Sequence, residues 1–367
     1  MQEDESLRRV MDGAAWREFC DALKAAGDVI LAADAPANPY DRAEGFRYLS
    51  RLARAALETF VENADPQAPS LLRTAHETVK MGADNPDNLY QNAPISGKYE
   101  YEITGNRGSV HYLGFGTQAG NYGATGSLET TGYLDATQLT LDAGGNFAIV
   151  VSAREQKGCN WLPMREDTST LVVRQTYLDR TSERPADIHI RRTDGPHRPR
   201  HLSPRALDRG LRASGRFVGG CAKLFHAWAS SMVRSTNALP EFDAAVAKAA
   251  GGDPNIVYYH SYWRLEPDEA LVIEVVPPPC EYWNFQLNNH WMESLDYRYF
   301  PIHVNKHSAK RSADGSVRIV VAHEDPGVEN WLDTCGHDRG TMCWRWIRPE
   351  RRVTPATRVV KLADLRR

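Results

Sequence analysis

The run Trp283-Asn284-Phe285-Gln286-Leu287-Asn288-Asn289-His290-Trp291 constrains the fold more than any other stretch. In steps of two, Trp283, Phe285, Leu287 and Trp291 share one register, interrupted at Asn289. Asn284, Gln286, Asn288 and His290 share the other. That is the period of a β-strand, whose side chains alternate between two faces. One face is apolar enough for a core. The other carries three carboxamides and an imidazole, without the Lys, Thr, Glu and Ser of an ordinary wet face. Glu293, Asp296 and Arg298 follow at once. A strand over 282–291 that floors a polar pocket is the expectation, against the plainer reading of a solvated face or a satisfied buried network.

With 367 residues the chain is long enough for two domains, or one large domain with an appendage. Hydrophobic residues at 42% and charged residues at 25% fit a globular protein, and a net charge of -3 argues against nucleic-acid binding by bulk electrostatics. Apolar runs such as Ala148-Ile149-Val150-Val151 fall far short of the ~20 residues that cross a bilayer. The acidic start, Met1-Gln2-Glu3-Asp4-Glu5, does not read as a signal peptide. Cys20, Cys159, Cys221, Cys280, Cys335 and Cys343 are scattered and form no CxxC pair, so reduced thiols in a cytoplasmic protein are expected.

Along the chain the period changes twice. Residues 5–33 and 41–63 read as helices, with Pro36 and Pro39 between them and Asn38 or Asp41 as cap, and a weaker helical piece covers 70–80. These helices are expected to pack on the sheet, with a dimerisation arm in a homo-oligomer as the alternative. Short alternating strands follow at Lys98–Ile103, Val110–Phe115, Tyr133–Leu141, Phe147–Ser152 and Leu171–Tyr177, and Asp142–Asn146 reads as a hairpin loop. No crossover helix separates them, so the sheet is expected to be antiparallel. Residues 181–202, rich in Arg, Pro and His, read as a surface connection. Ser203 and Pro204 start a helix to about 236, which Gly219-Gly220 weakens in the middle. After a short helix over 241–250 the chain is again mostly β from Ile256 on. The expected organisation is a helical segment over 1–83, β core over 84–202, a helical insertion over 203–252 and β core over 253–367. The fold class is mainly β (α+β), an antiparallel sandwich or jelly roll.

An amide or acid beside a tryptophan recurs at Asn160-Trp161, Trp283-Asn284, His290-Trp291, Asn330-Trp331 and Trp344-Arg345. Flat aromatic faces flanked by hydrogen-bonding groups suit sugar rings, or ring compounds carrying a few oxygens. Core tryptophans and loop-pinning amides are the competing explanation. Acid–base chemistry needs positioned titratable groups, and Glu293, Asp296 and His290 are the nearest candidates. Arg174, His337 and Arg345 join Asn160, Trp161, Asn284, Gln286, Asn288, Asn330 and Trp331 as candidate substrate contacts. His303, His307, His323 and His337 lack the spacing of a helix-borne metal site, and no metal or redox cofactor is expected. No Walker sequence or GxSxG occurs.

Taken together, Asn160-Trp161-Leu162, the Arg174–Asp179 strand, Trp283-Asn284-Phe285-Gln286, Glu293–Arg298, Asn305-Lys306-His307 and Asn330-Trp331-Leu332-Asp333 with Gly336, His337 and Gly340 resemble a bacterial family, domain of unknown function 1214. Residues 255–347 carry most of the likeness. The resemblance implies an all-β core with helical additions and carries no activity and no catalytic residues. Members often accompany a second β domain; no clear copy is legible here, and the helical N-terminus is read as its replacement.

The leading functional expectation is a cofactor-independent hydrolase or lyase acting on a polyhydroxylated or glycosidic substrate. A lyase or isomerase on an oxygenated ring compound, and a binding protein for small molecules or glycans, are the alternatives; nucleic acid and membrane are not expected partners. Geometry discriminates between them. Glu293 and Asp296 facing one open cleft with Asn284, Gln286 and His290 would favour an enzyme, and a cleft without that pair would favour binding alone.

Overall fold

In the computed structural model, which describes residues 2–123 and 125–365, three helices open the chain: α1 (Gln2–Met11), α2 (Ala14–Ile30) and α3 (Pro39–Leu57). The single helix expected over 5–33 is broken because Gly13 adopts a left-handed φ of 74°. Asn38 caps α3 by accepting the Asp41 N–H, with Pro39 in the first turn. Residues 70–80 are not helical. They make isolated bridges instead, Leu72 to Asn92 and His76 to Val79.

Eight strands follow: β1 (Asn88–Pro94), β2 (Tyr101–Asn106), β3 (Tyr112–Ala119), β4 (Glu129–Asp135), β5 (Asn146–Ser152), β6 (Asn160–Pro163), β7 (Thr168–Thr176) and β8 (Asp187–Arg192). They form two sheets, β1-β7-β3-β4 and β6-β5-β2-β8, around one apolar core that includes Phe115, Ile149, Leu162 and Val173. Then come α4 (Pro204–Met232), capped by Ser203, and α5 (Ala244–Ala249). Eight more strands complete the chain: β9 (Ile256–Arg264), β10 (Glu269–Val275), β11 (Tyr282–Leu287), β12 (His303–Asn305), β13 (Val317–Ala322), β14 (Trp331–Asp333), β15 (Arg339–Ile347) and β16 (Ala356–Lys361). Their sheets, β12-β11-β15-β9 and β14-β13-β10-β16, enclose a second core in which Trp283 stacks on Trp344 at 5.0 Å. The protein is therefore mainly β with helical additions, as expected, but its strands divide between two sandwiches.

The second β unit absent from the sequence reading is thus present at residues 88–192. Adding eight to each strand number of the first sandwich gives the strand order of the second. The loop pins repeat as well. Asn160 Nδ2 donates to carbonyls 20 and 12 residues earlier, and the Trp161 indole donates to one 9 residues earlier. Asn330 and Trp331 make the same bonds at the same separations of 20, 12 and 9. The chain is a tandem repeat of one eight-stranded unit whose sequence signal has largely faded.

Two details differ from expectation. The turn at 142–146 closes, but β4 and β5 belong to different sheets, so it joins sheets rather than making a hairpin. The strand expected over 282–291 stops at Leu287. Asn289 Oδ1 accepts the N–H of Trp291 (3.0 Å) and of Glu293 (3.1 Å), and Met292 takes φ 57°, so the chain reverses. The reversal sends Trp291 away from the strand's apolar face and into the helices. It fills the space beside Gly45 of α3, where an added Cβ would lie 2.8 Å from the indole. The helices and the second sandwich share one apolar cluster containing Leu52, Phe225, Tyr262 and Trp291, so the helical layer is packed on the sheet. Among the described residues, no helix is long and apolar enough to cross a membrane.

Asn330 also holds a left-handed φ of 55°. Its replacement by Ala loses two donated bonds and one accepted bond and strains the backbone, at an expected cost of about 2–3 kcal/mol. Asn160→Ala, at the repeated position, is expected to cost roughly 1–2 kcal/mol, because only its hydrogen bonds are lost. Urea unfolding of the two variants measures the difference. A negligible loss for Asn330→Ala would contradict its role as a pin.

Candidate functional site

Between the two sandwiches lies a cavity of about 210 Å³ whose walls repeat. On the first side Tyr90 of β1 is register-paired with Arg174 of β7. On the second, Tyr258 of β9 is paired with Arg345 of β15. Directly opposed residues project from the same face of a sheet, so each side presents a Tyr–Arg pair. The helical layer covers the space with Phe225 and Trp228, and Phe242 follows from the next loop. Thr74, Asn92, Gln118 and Tyr122 also line a larger adjoining cleft of about 610 Å³.

Each arginine reaches across to the other half. Arg174 Nη2 donates to the Gly251 carbonyl (2.6 Å), in the loop before β9. Arg345 Nη2 donates to the Ala83 carbonyl, in the loop before β1. Ala83 and Gly251 precede Tyr90 and Tyr258 by the same number of residues, and both have left-handed φ, 57° and 72°. The tyrosines at the strand starts exchange in the same way. Tyr112 OH donates to Asp253 (2.9 Å) and accepts from Asn255, while Tyr282 OH donates to Asp87 (2.5 Å) and accepts from Asn85. Reciprocal contacts of this kind mark an isologous interface, here within one chain.

The two sides are not equal. Arg345 is 5% exposed and is held by Gln286 Oε1 (2.5 Å) and Asn284 Oδ1 (3.4 Å). At the matching places on β3 stand Gly114 and Gly116, which have nothing to reach with. Arg174 is therefore only half-buried and bonds to Gly251 alone. Among the described residues no carboxylate lies within 4.0 Å of either guanidinium. The nearby acids are engaged elsewhere: Asp84 accepts from Ser294, and Asp253 accepts from Tyr112 and Tyr133. His260, stacked on Tyr258, is driven down to about 3 by burial, with the charge of Arg345 adding to the effect. It is neutral at pH 7, and its Nδ1 has no partner.

Only two of the candidate residues named from sequence reach this cavity. Arg174 and Arg345 line the cavity. Asn284 and Gln286 stand behind Arg345 and hold it, and Asn288 bonds Gln286 Nε2 and Thr341. Glu293 is fully buried but faces Arg51 (2.6 Å) and Asn289 (2.9 Å), and its carboxyl is raised by burial against the pull of Arg51. Asp296 sits near the surface, lowered by its bonds to Arg298. His290, past the end of β11, joins a hydrogen-bonded chain that runs inward from the exposed Asp34, Asp34–His226–His290–Tyr262, with links of 3.1, 3.0 and 3.0 Å. His337 bonds Asp41 (2.7 Å) where α3 docks. Asn160, Trp161, Asn330 and Trp331 are the loop pins of the two sandwiches. Glu293, Asp296 and His290 thus do not meet around one cleft, because the Asn289 turn aims each of them at a different neighbour.

Sequence reasoning passed over Tyr90, Tyr122, Tyr258, His260, Gly116 and Gln118. The signal that could have found them is the repeat: a Gly-led, Asp- and Asn-rich turn before an aromatic strand occurs at 82–90 and again at 251–258.

Two outcomes follow from the placement. Glu293→Ala leaves the half-buried Arg51 unpaired and Asn289 without its acceptor, at about 3 kcal/mol, whereas Asp296→Asn removes a surface pair, at about 0–1 kcal/mol. Chemical denaturation separates them, and equal losses would contradict a structural Glu293. His260 and His290 are both held near 3 by burial, His290 also by His226, against an ordinary value of 6.5. The unfolded chain therefore binds more protons between about pH 3 and 6.5. Stability present above that window is lost as pH falls, at about 1.4 kcal/mol per pH unit for each histidine. Urea unfolding at about pH 7, 6 and 5 should show His260→Gln losing one histidine's share of this slope; an unchanged slope counts against it.

Residues 265–351, which hold β10 to β15 of the second sandwich, match the family model described as "Protein of unknown function (DUF1214)". No curated protein matches the chain. A crystal structure of a putative uncharacterized protein from Burkholderia cenocepacia is 54% identical, with TM-score 0.95, covering 97% of this chain and 99% of that one. The VPA0106 protein from Vibrio parahaemolyticus is 13% identical, with TM-score 0.49, over 87% and 98%. The chain thus carries the DUF1214 block at residues 265–351, and over its whole length it belongs to the same family as the Burkholderia cenocepacia protein.

Proposed function

We propose that this protein binds a small organic anion with an apolar or aromatic body in the cavity between its sandwiches. The observation that carries the reading is the pair of guanidiniums without a carboxylate partner. Taking a cation out of water costs several kcal/mol unless its donors are met, and a guanidinium has more N–H groups than the bonds to Gly251, or to Ala83, Gln286 and Asn284, consume. A ligand carboxylate would meet them with the planar fork that arginine suits. Tyr90, Tyr122, Tyr258, Phe225, Trp228 and Phe242 offer flat apolar walls for the rest of the molecule. Hydrolysis or elimination through Glu293 and Asp296 draws no support from this arrangement, since neither carboxylate lines the cavity.

Thermal unfolding with benzoate, and with uncharged benzamide as its control, tests the reading. Benzoate at about 100-fold its Kd should stabilise the protein by about 2.7 kcal/mol, visible as a rise in Tm. Benzamide, which lacks the charge, should do less. Stabilisation by benzamide equal to that by benzoate would remove the anion from the proposal.

A further inference from the structure

We infer that the ligand is a dicarboxylate, spanning the cavity with one carboxylate on Arg174 and the other on Arg345. This rests on the anion-binding reading of the same cavity and goes beyond it. The observation is the repeat. A single acid would need one guanidinium, and the chain places two, at matching register positions on β7 and β15, each beside a matching tyrosine. They project from two different sandwiches into one cavity, so a ligand held by one has the other before it. Both charges act on the same hydroxyls. Burial pushes Tyr258 up, while Arg174 and, less strongly, Arg345 pull it back; at Tyr90 burial is opposed by Arg345 first and, less strongly, by Arg174.

The surroundings favour two carboxylates over one phosphate. A phosphate site gathers several donors around one point, commonly with backbone N–H groups or a lysine. Here the backbone atoms turned toward the arginines are the carbonyls of Gly251 and Ala83, which repel an anion placed between them and the guanidinium. The lining carries no lysine. The walls between the two arginines are aromatic, which suits a flat or apolar spacer joining two acid groups. The asymmetry assigns a role to each end. Arg345, braced by Gln286 and Asn284, is the fixed anchor. Arg174, opposite glycines that carry no side chain to brace it and bonded to the Gly251 carbonyl alone, is the arm that settles on the second carboxylate.

Isothermal titration of the full chain with benzoate, terephthalate, isophthalate, hexanoate, adipate and phenyl phosphate tests this. At least one diacid should bind about tenfold or more tighter than the monoacid of its own skeleton, as a second charge-assisted pair provides. Arg174→Gln should bring that diacid down to the monoacid's affinity and leave the monoacid within about threefold, with Arg345 still in place. Because Arg345 also braces the interface, its variants are not needed. Equal affinity of diacids and monoacids overturns the dicarboxylate and leaves the anion site standing. Tighter binding of phenyl phosphate than of every diacid replaces it with a phosphate ester. Failure of every anion to bind removes both readings.

Discussion

A buried guanidinium must find acceptors, and much of the interface between the two halves follows from how Arg345 finds its own. Two come from its own sheet, as the amides of Asn284 and Gln286, and one from the other half, as the Ala83 carbonyl. Holding Ala83 fixes the turn that follows. Asp84 then reaches Ser294, Asn85 meets Asn284, and Asp87 meets Tyr282, His303 and Asn305. The attraction of His303 and the bond from Tyr282 hold the Asp87 carboxyl low although it is buried. A polar network this complete is rigid, and a rigid wall can keep an unfilled cavity beside it.

Duplication explains why the network crosses reciprocally. When one sandwich is copied and the copies pack face to face, any residue that reaches a loop of the partner is matched by its counterpart reaching back. Arg174 and Arg345 retain that relation, and so do Tyr112 and Tyr282. Divergence has emptied one side and filled the other. Glycines at 114 and 116 leave Arg174 loosely held, while amides at 284 and 286 lock its counterpart.

The helical layer closes what the sheets leave open. Along α4, Gly215 lies so near Ala22 that an added Cβ would fall 2.8 Å from it, and Gly220 approaches Gly123 in the same way. This close packing brings Phe225 and Trp228 over the cavity. On the same helix His226 extends the hydrogen-bonded chain from Asp34 to Tyr262, tying the layer to the second sandwich by polar as well as apolar contact.

What the sequence determined by itself is local. Alternation announced the core strands, Ser203 with Pro204 announced α4, and the motif string announced the C-terminal family block, because each depends on neighbours within a few residues. Arg174 and Arg345 could be named from sequence, but not as a pair. Their meeting depends on two segments far apart in the chain occupying the same place in two copies of one fold. The run at 283–291 shows the same limit. Its alternation is real as far as Leu287, yet Asn289 turns the backbone by bonding two N–H groups, and that single side chain decides that Glu293 and His290 face protein rather than ligand. Which polar groups are left with donors to spare is a matter of what surrounds them in space, and only the packing of the two sandwiches and the helices settled it.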